Sequence, residues 1–227
     1  MDERVARGMA AQLARRQERL TAGEEPVGWK IGLNPPAAQE KAGISAPVTG
    51  FLTEATVLAS GGRYAIGDRA DVRVEPEVAV RLGADLGPDA GSGEGTAAIS
   101  SLAPALEVVD LDRDVSEIEA VLAGNVFHRA VVFGDELEGA HSLAGLGFRV
   151  LRGSEPEAEG DVVEAAGHLD TLLLGIARFL DAHGAALRAG DRVICGSLVV
   201  PPLAAHPGET IALELGRLGR VEVGFDA

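Results

Sequence analysis

Arg73-Val74-Glu75-Pro76-Glu77-Val78-Ala79-Val80 sets acids and valines in alternation. A β-strand turns successive side chains to opposite faces, so Glu75 and Glu77 share one face while Val74 and Val78 share the other. Pro76 has no N–H to give to a sheet ladder, which predicts an edge strand or a bulge. Further on, Pro104-Ala105-Leu106-Glu107-Val108-Val109 carries a lone acid in an apolar run, an expensive place for a carboxylate. Three carboxylates converging from two strands repel one another unless a cation sits between them, and hard oxygen donors suit Mg²⁺ or Mn²⁺. The same alternation also describes a half-solvated antiparallel strand, with Glu107 paired to an arginine. The pattern by itself leaves both readings open.

The rest of the chain bounds the class. A length of 227 residues fits one domain with a small appendage. With 46% apolar residues but only 6 Phe, 1 Trp and 1 Tyr, the core is built from Val, Leu, Ile and Ala. A net charge of −15 repels phosphate backbones and anionic membranes, arguing against nucleic-acid and membrane partners. An anionic small substrate then needs a metal or a local cation. Cys195 is the only cysteine, which, with no apolar leader after Met1 and no membrane-length run, predicts a cytoplasmic protein.

Periodicity predicts a helix over 2–20, with Val5, Met9, Leu13 and Leu20 on one side. This N-terminal segment, 1–26, precedes a catalytic domain over 27–227. Strands are predicted at 27–33, near 50–52 and 56–58, at 71–82, 105–110 and 126–133, and at 192–195, 210–215 and 221–225. A hairpin is expected from 148–152 and 161–165. Helices are expected after Pro35-Pro36, over 97–102, after Ser116 with Glu119 completing a capping box, and over 167–183, where His168 caps or fills the start. The Gly91–Gly95 cluster lacks the spacing of a phosphate loop and reads as a flexible stretch. Strands outnumber helices without regular alternation, so the fold class is α+β.

Two further residues carry candidate chemistry. Lys30, one of two lysines, lies on an apolar strand beside Trp29. It reads either as a strand-end lysine reaching water or as a substrate counterion or a proton carrier with a depressed pKa. His128 follows Asn125 on another apolar strand, either structural or catalytic. The five histidines have no zinc spacing, no Gly-x-Ser-x-Gly elbow occurs, and Cys195 reads as a buried, inert thiol.

Taken in order, Gly28-Trp29-Lys30-Ile31-Gly32-Leu33, Val74 to Ala79, Pro104 to Val109, Asn125, Gly167-His168, Leu187 to Asp191 and Gly196-Ser197-Leu198 resemble the fumarylacetoacetate hydrolase superfamily. The chain is most similar to its 2-keto-4-pentenoate hydratase and 4-oxalocrotonate decarboxylase branch. The resemblance implies a mixed sheet rolled on itself with flanking helices, and a homo-oligomer or a complex with a related decarboxylase or hydratase. It also implies Mg²⁺ or Mn²⁺ held by Glu75, Glu77 and Glu107, and Lys30 as an active-site lysine. The implied substrate is 2-hydroxypenta-2,4-dienoate or a related 2-oxo acid of aromatic catabolism. Hydration, decarboxylation, C–C hydrolysis of an acylpyruvate and a non-catalytic partner subunit are all compatible with such a site. The chain departs from the pattern at Phe127, where a serine is expected, and at Val48-Thr49, where an aspartate is. His128 and Glu54 are the candidate replacements.

Overall fold

The computed structural model describes residues 2–227; Met1, first residue of the expected N-terminal segment, lies outside them. The chain runs α1 (Glu3–Thr21), β1 (Pro26–Gly32), α2 (Pro36–Ala42), β2 (Val48–Thr53), β3 (Val57–Leu58), β4 (Arg63–Ala65), β5 (Val72–Leu82), α3 (Glu94–Ala97) and β6 (Ile99–Asp110). It continues α4 (Ile118–Ala123), β7 (His128–Phe133), β8 (Leu137–Glu138), β9 (Gly147–Arg152), β10 (Glu155–Asp161), α5 (Val162–Ala166) and α6 (Leu169–Asp181). It closes with β11 (Arg192–Cys195), β12 (Leu203–Ala204), β13 (Thr210–Glu214) and β14 (Arg220–Asp226).

The strands form two sheets. The larger has the order β2-β1-β11-β5-β6-β7-β3, with β12 beside β5 and β8 beside β6; the smaller is β10-β9-β13-β14-β4. Parallel pairs (β1 with β11, β3 with β7, β14 with β4) mix with antiparallel ones, as the α+β mixed-sheet expectation requires. The main apolar cluster joins Val74, Val78 and Val80 of β5 to Val150, Leu213 and Val223 of the smaller sheet and to Leu173 and Leu180 of α6. No described helix is long and apolar enough to cross a membrane.

The pairing of β5 with β6 positions the site. Glu75 lies opposite Glu107, Glu77 opposite Ala105 and Ala79 opposite Ala103. On the other side Ala79 faces Ile194, which in turn faces Lys30 of β1. Lys30, Glu75, Glu77 and Glu107 therefore share one sheet face, floored by the small residues Ala79, Ala103 and Ala105. Gly28 is what lets β1 and β11 meet: its φ is 147°, and a Cβ there would sit 1.9 Å from the Arg192 carbonyl oxygen.

Several local expectations are corrected. Pro76 is in the middle of the sheet, not on its edge. It occupies the gap where β11 has ended, at Cys195 opposite Val78, and β12 has not begun, at Leu203 opposite Val74. Its carbonyl accepts instead from the Leu198 N–H at 2.7 Å. The helix expected over 97–102 is largely strand, because Ile99 to Leu102 pair with Leu82, Arg81 and Val80. Ser116 forms no capping box: Glu117 is the N-cap of α4, and Glu119 is taken by Arg7 of α1 at 2.7 Å. The hairpin closes earlier than expected, as Asp161 caps α5 through the N–H groups of Val163 and Glu164. His168 is the N-cap residue of α6, with no side-chain capping bond. In α1 the buried stripe is Val5, Gly8, Met9 and Gln12, with Leu13 and Leu20 only partly covered. The Gln12 amide donates to the Thr49 and Leu122 carbonyls.

The Gly91–Gly95 stretch is pinned, not free. Asp170 of α6 accepts from the Gly93 and Thr96 N–H groups at 2.9 and 3.1 Å. Asp170→Ala should cost about 1 kcal/mol, as loss of a capping acid does, which for a chain of this length is a fall of about 2–4 °C in Tm. Catalytic parameters should stay unchanged; an unaltered melting curve would show that the stretch is not held this way.

Candidate metal centre

Glu75, Glu77 and Glu107 each offer a carboxylate oxygen within 4.8 Å of the others. Glu77 and Glu107 are 1% and 0% exposed, while Glu75 is partly exposed. One oxygen of Glu107 is fully engaged: its Oε1 accepts from Lys30 Nζ at 2.6 Å and lies 2.8 Å from His128 Nδ1. Its other oxygen, Oε2, has no partner among the described residues, and neither does Glu77 Oε2. Buried carboxylate oxygens left without donors are costly, and two of them in one cluster mark a place for a hard cation. The donor set therefore fits a divalent ion held by oxygen ligands.

The electrostatics agree. Burial raises the Glu75 carboxyl to about 7, the Lys30 ammonium only partly offsetting it while Glu107 adds to it. Burial and then the charges of Glu107 and Glu75 push Glu77 well up. Burial also works against ionisation of Glu107, but Lys30 and His128 outweigh it and hold its carboxyl low. A cation entering the site must displace the protons that Glu75 and Glu77 retain. Mg²⁺ affinity should accordingly weaken as pH falls below 7, by up to about tenfold per pH unit for each proton displaced. Titration calorimetry at pH 8 and pH 6 checks this, and equal affinities would contradict it.

Lys30 does not reach water. Only 1% exposed, it lies along β1 with Nζ bonded to Glu107 and to the Val126 carbonyl at 3.0 Å. Gly50, opposite Lys30 on β2, makes room for its stem: a Cβ there would meet Lys30 Cγ and Asn125 Oδ1, each at 2.9 Å. Burial pulls the Lys30 pKa down, yet the charges of Glu107 and Glu75 overcome it and raise it overall. In the metal-free site Lys30 is thus held as the ammonium, the opposite direction to the depressed pKa considered from sequence.

The Val126 carbonyl is presented by an unusual turn. Asn125, Val126 and Phe127 have φ values of 64°, 52° and 66°, a left-handed run that asparagine tolerates but that is disfavoured for phenylalanine and most of all for β-branched valine. The Asn125 side chain clamps it by bonding both backbone groups of Phe51, at 2.8 and 2.9 Å. His128 follows the turn and stands behind Glu107, its Nε2 2.9 Å from Thr56 Oγ1. Burial lowers the His128 pKa despite its Glu107 partner. Glu54 is exposed on a turn after β2 and is not part of the group.

A cavity of about 360 Å³ opens on Lys30 and Glu75. Leu33, Val109, Val126, Phe127, Val200 and Pro202 line it, with Ser197 among them and Lys41, Arg113 and Asp114 at its outer part. His128 is not among its lining residues; it faces a separate cavity beyond the turn with Thr56 and several arginines. Sequence reasoning could not find the Lys30–Glu107 pair, which the register of β1, β11, β5 and β6 brings together, nor Gly50, set against Lys30 by β2, nor Thr56, on the turn before β3, which pairs with the strand of His128.

The profile for the fumarylacetoacetate (FAA) hydrolase C-terminal family matches residues 28–225. A 2-keto-4-pentenoate hydratase of Burkholderia vietnamiensis is 30% identical over 220 residues, covering 91% of this chain and 80% of that protein. A 4-oxalocrotonate decarboxylase of a Pseudomonas species is 28% identical, covering 96% and 86%. The solved structure of 4-oxalocrotonate decarboxylase from Pseudomonas putida G7, complexed with magnesium and adipate, superposes with a TM-score of 0.84 at 26% identity, covering 94% of this chain and 83% of that one. On the extent of these matches, the chain belongs to the fumarylacetoacetate hydrolase family.

Proposed function

We propose that this chain is a Mg²⁺- or Mn²⁺-dependent hydro-lyase that adds water to 2-hydroxypenta-2,4-dienoate or a related 2-oxo acid. The observation that carries the reading is the pair of partnerless carboxylate oxygens on Glu77 and Glu107, beside the buried charge of Lys30 at the foot of a cavity. Glu75, Glu77 and Glu107 would hold the ion. When bound, it supplies an electron-withdrawing centre for the carboxylate and 2-oxo oxygens, the chemistry that stabilises an enolate.

The chain's own groups do the rest. Lys30 spends two donors on Glu107 and Val126, and an ammonium has three, so one remains for a substrate carboxylate. Val109, Val126 and Phe127 keep bulk water from the reacting atoms. His128 acts through Glu107 as a positioning residue, fixing the carboxylate so that Oε2 stays free. The cavity reaches Glu75 and Lys30 unobstructed by Phe127, which supports an enzyme over a non-catalytic partner subunit.

An ultraviolet assay on freshly generated 2-hydroxypenta-2,4-dienoate tests the reading. Loss of the diene absorbance that requires Mg²⁺ or Mn²⁺ and stops with a chelator is expected. Metal-loaded protein that leaves the dienoate untouched but releases CO₂ from 4-oxalocrotonate, or cleaves an acylpyruvate, would replace hydration by that reaction. A homo-oligomer, or a complex with a related decarboxylase or hydratase, accompanies this proposal; a monomer mass by light scattering would remove the first.

A further inference from the structure

The outer part of the cavity decides what the substrate carries at the end away from the metal centre. Two cations lie there, and both are already neutralised. Lys41 Nζ is 3.0 Å from Asp114 Oδ2, and Arg113 grips Asp112 with both Nε and Nη2, at 2.8 and 3.0 Å. Asp114 is ionised at any working pH, since the Ser116 N–H and hydroxyl and then Lys41 hold its carboxyl at about 2. Lys30, the remaining cation on the cavity, is committed to the metal end. The remaining walls are mainly apolar, with Leu33, Val109, Val126, Phe127 and Pro202 among them, and the hydroxyl of Ser197 is spent on the Val199 carbonyl at 3.0 Å. Val200 extends them outward as a lip that is 63% exposed, apolar surface that a bound tail would cover. A volume of about 360 Å³ is at the lower end of small-ligand pockets.

We propose that the cavity selects 2-oxo acids with a single carboxylate and an uncharged, apolar tail, and that the Lys41–Asp114 pair excludes a second carboxylate by cancelling the charge that would receive it. The inference rests on the 2-oxo acid reading and names its substrate class. A distal carboxylate would lose its water against an apolar wall and meet Asp114, a like charge, at the outer end. An apolar tail loses nothing by entering and gains by covering Phe127 and Val200.

The test uses two six-carbon acids that differ only at the far end, 2-oxohexanoate and 2-oxoadipate, titrated calorimetrically into the Mg²⁺-loaded full chain. Oxalate, which needs only the metal end, is titrated alongside. The expected result is oxalate binding, with 2-oxohexanoate at least about tenfold tighter than 2-oxoadipate. Asp114→Asn keeps the acceptor for the Ser116 N–H and so preserves the turn, but uncouples Lys41. It should strengthen 2-oxoadipate binding about tenfold and leave 2-oxohexanoate unchanged. Adding Lys41→Met to that variant should abolish the gain. Native protein that binds 2-oxoadipate as tightly as 2-oxohexanoate overturns the proposal, as does an Asp114→Asn variant with an unaltered ratio, while oxalate binding leaves the metal site intact in both cases. Failure of oxalate to bind overturns the underlying 2-oxo acid reading and the proposal with it.

Discussion

Replacing Glu107 by glutamine should abolish Mg²⁺ binding and turnover and, unlike the matching change at Glu77, also weaken the metal-free fold. The two residues differ in what the rest of the chain has invested in them. Glu107 is the counterion of a lysine that is 1% exposed. Removing one partner of a buried pair costs about 3–5 kcal/mol, a fall of about 6–20 °C in the Tm of the metal-free protein at about 2–4 °C per kcal/mol. Glu77 has no partner for its buried Oε2 among the described residues, and burial, then the charges of Glu107 and Glu75, make it take up a proton on folding, which costs stability at neutral pH. Glu77→Gln should therefore raise the metal-free Tm by a few degrees while still removing a ligand. Loss of groups that merely support a ligand weakens metal binding about 10–100-fold, so loss of a ligand should exceed that in both variants. Calorimetry with Mg²⁺ and melting curves with and without the ion measure all four numbers. If Glu107→Gln keeps its Mg²⁺ affinity within tenfold, or if both variants melt alike, the assignment of the centre fails.

Lys30→Met should separate substrate binding from metal binding. A hydrogen bond to a charged group is worth about 1.5–3 kcal/mol, so losing the remaining donor should raise KM about 10–100-fold. The ion, by contrast, loses a repelling neighbour, and Mg²⁺ affinity should hold or tighten. The metal-free variant leaves Glu107 with only His128 on Oε1, so it should melt lower than native and recover on adding Mg²⁺, as any ligand that binds only the folded state restores stability. Steady-state kinetics over a range of substrate at saturating Mg²⁺ gives the decisive number, and an unchanged KM would remove Lys30 from the substrate.

How much of this was legible in the chain differs by residue. The alternation at Glu75 and Glu77 is local, and the shared face it implied is the sheet face on which Glu107 of β6 also stands. Glu107 was conspicuous because an acid in an apolar run needs a reason. Lys30 was ambiguous, because its partner is 77 positions away and only strand register brings them together. Pro76 misled because the rule against proline in central strands assumes an unbroken neighbour, whereas β5 is flanked on that side by two short strands with a gap. The capping box at Ser116 and Glu119 was chemically sound, but Arg7 competes for the glutamate from another helix. His128 was placed on the right strand; which side of Glu107 it approaches depends on the turn before it, and nothing in Asn125-Val126-Phe127 announces three left-handed residues in a row.

That turn has an evolutionary consequence. Backbone held in a left-handed conformation by a side chain that dislikes it stores about 1–3 kcal/mol per residue, and glycine would release much of it. Here the strain presents the Val126 carbonyl to Lys30 and sets Val126 and Phe127 against the cavity. Yet both side chains are buried in the apolar cluster with Val5, Val48, Val109 and Leu122, and emptying the place of a buried phenylalanine costs about 3–5 kcal/mol, so packing holds these residues against the strain. A lineage that had lost the reaction would therefore keep Val126 and Phe127 for their packing, and the turn would outlast the chemistry it serves.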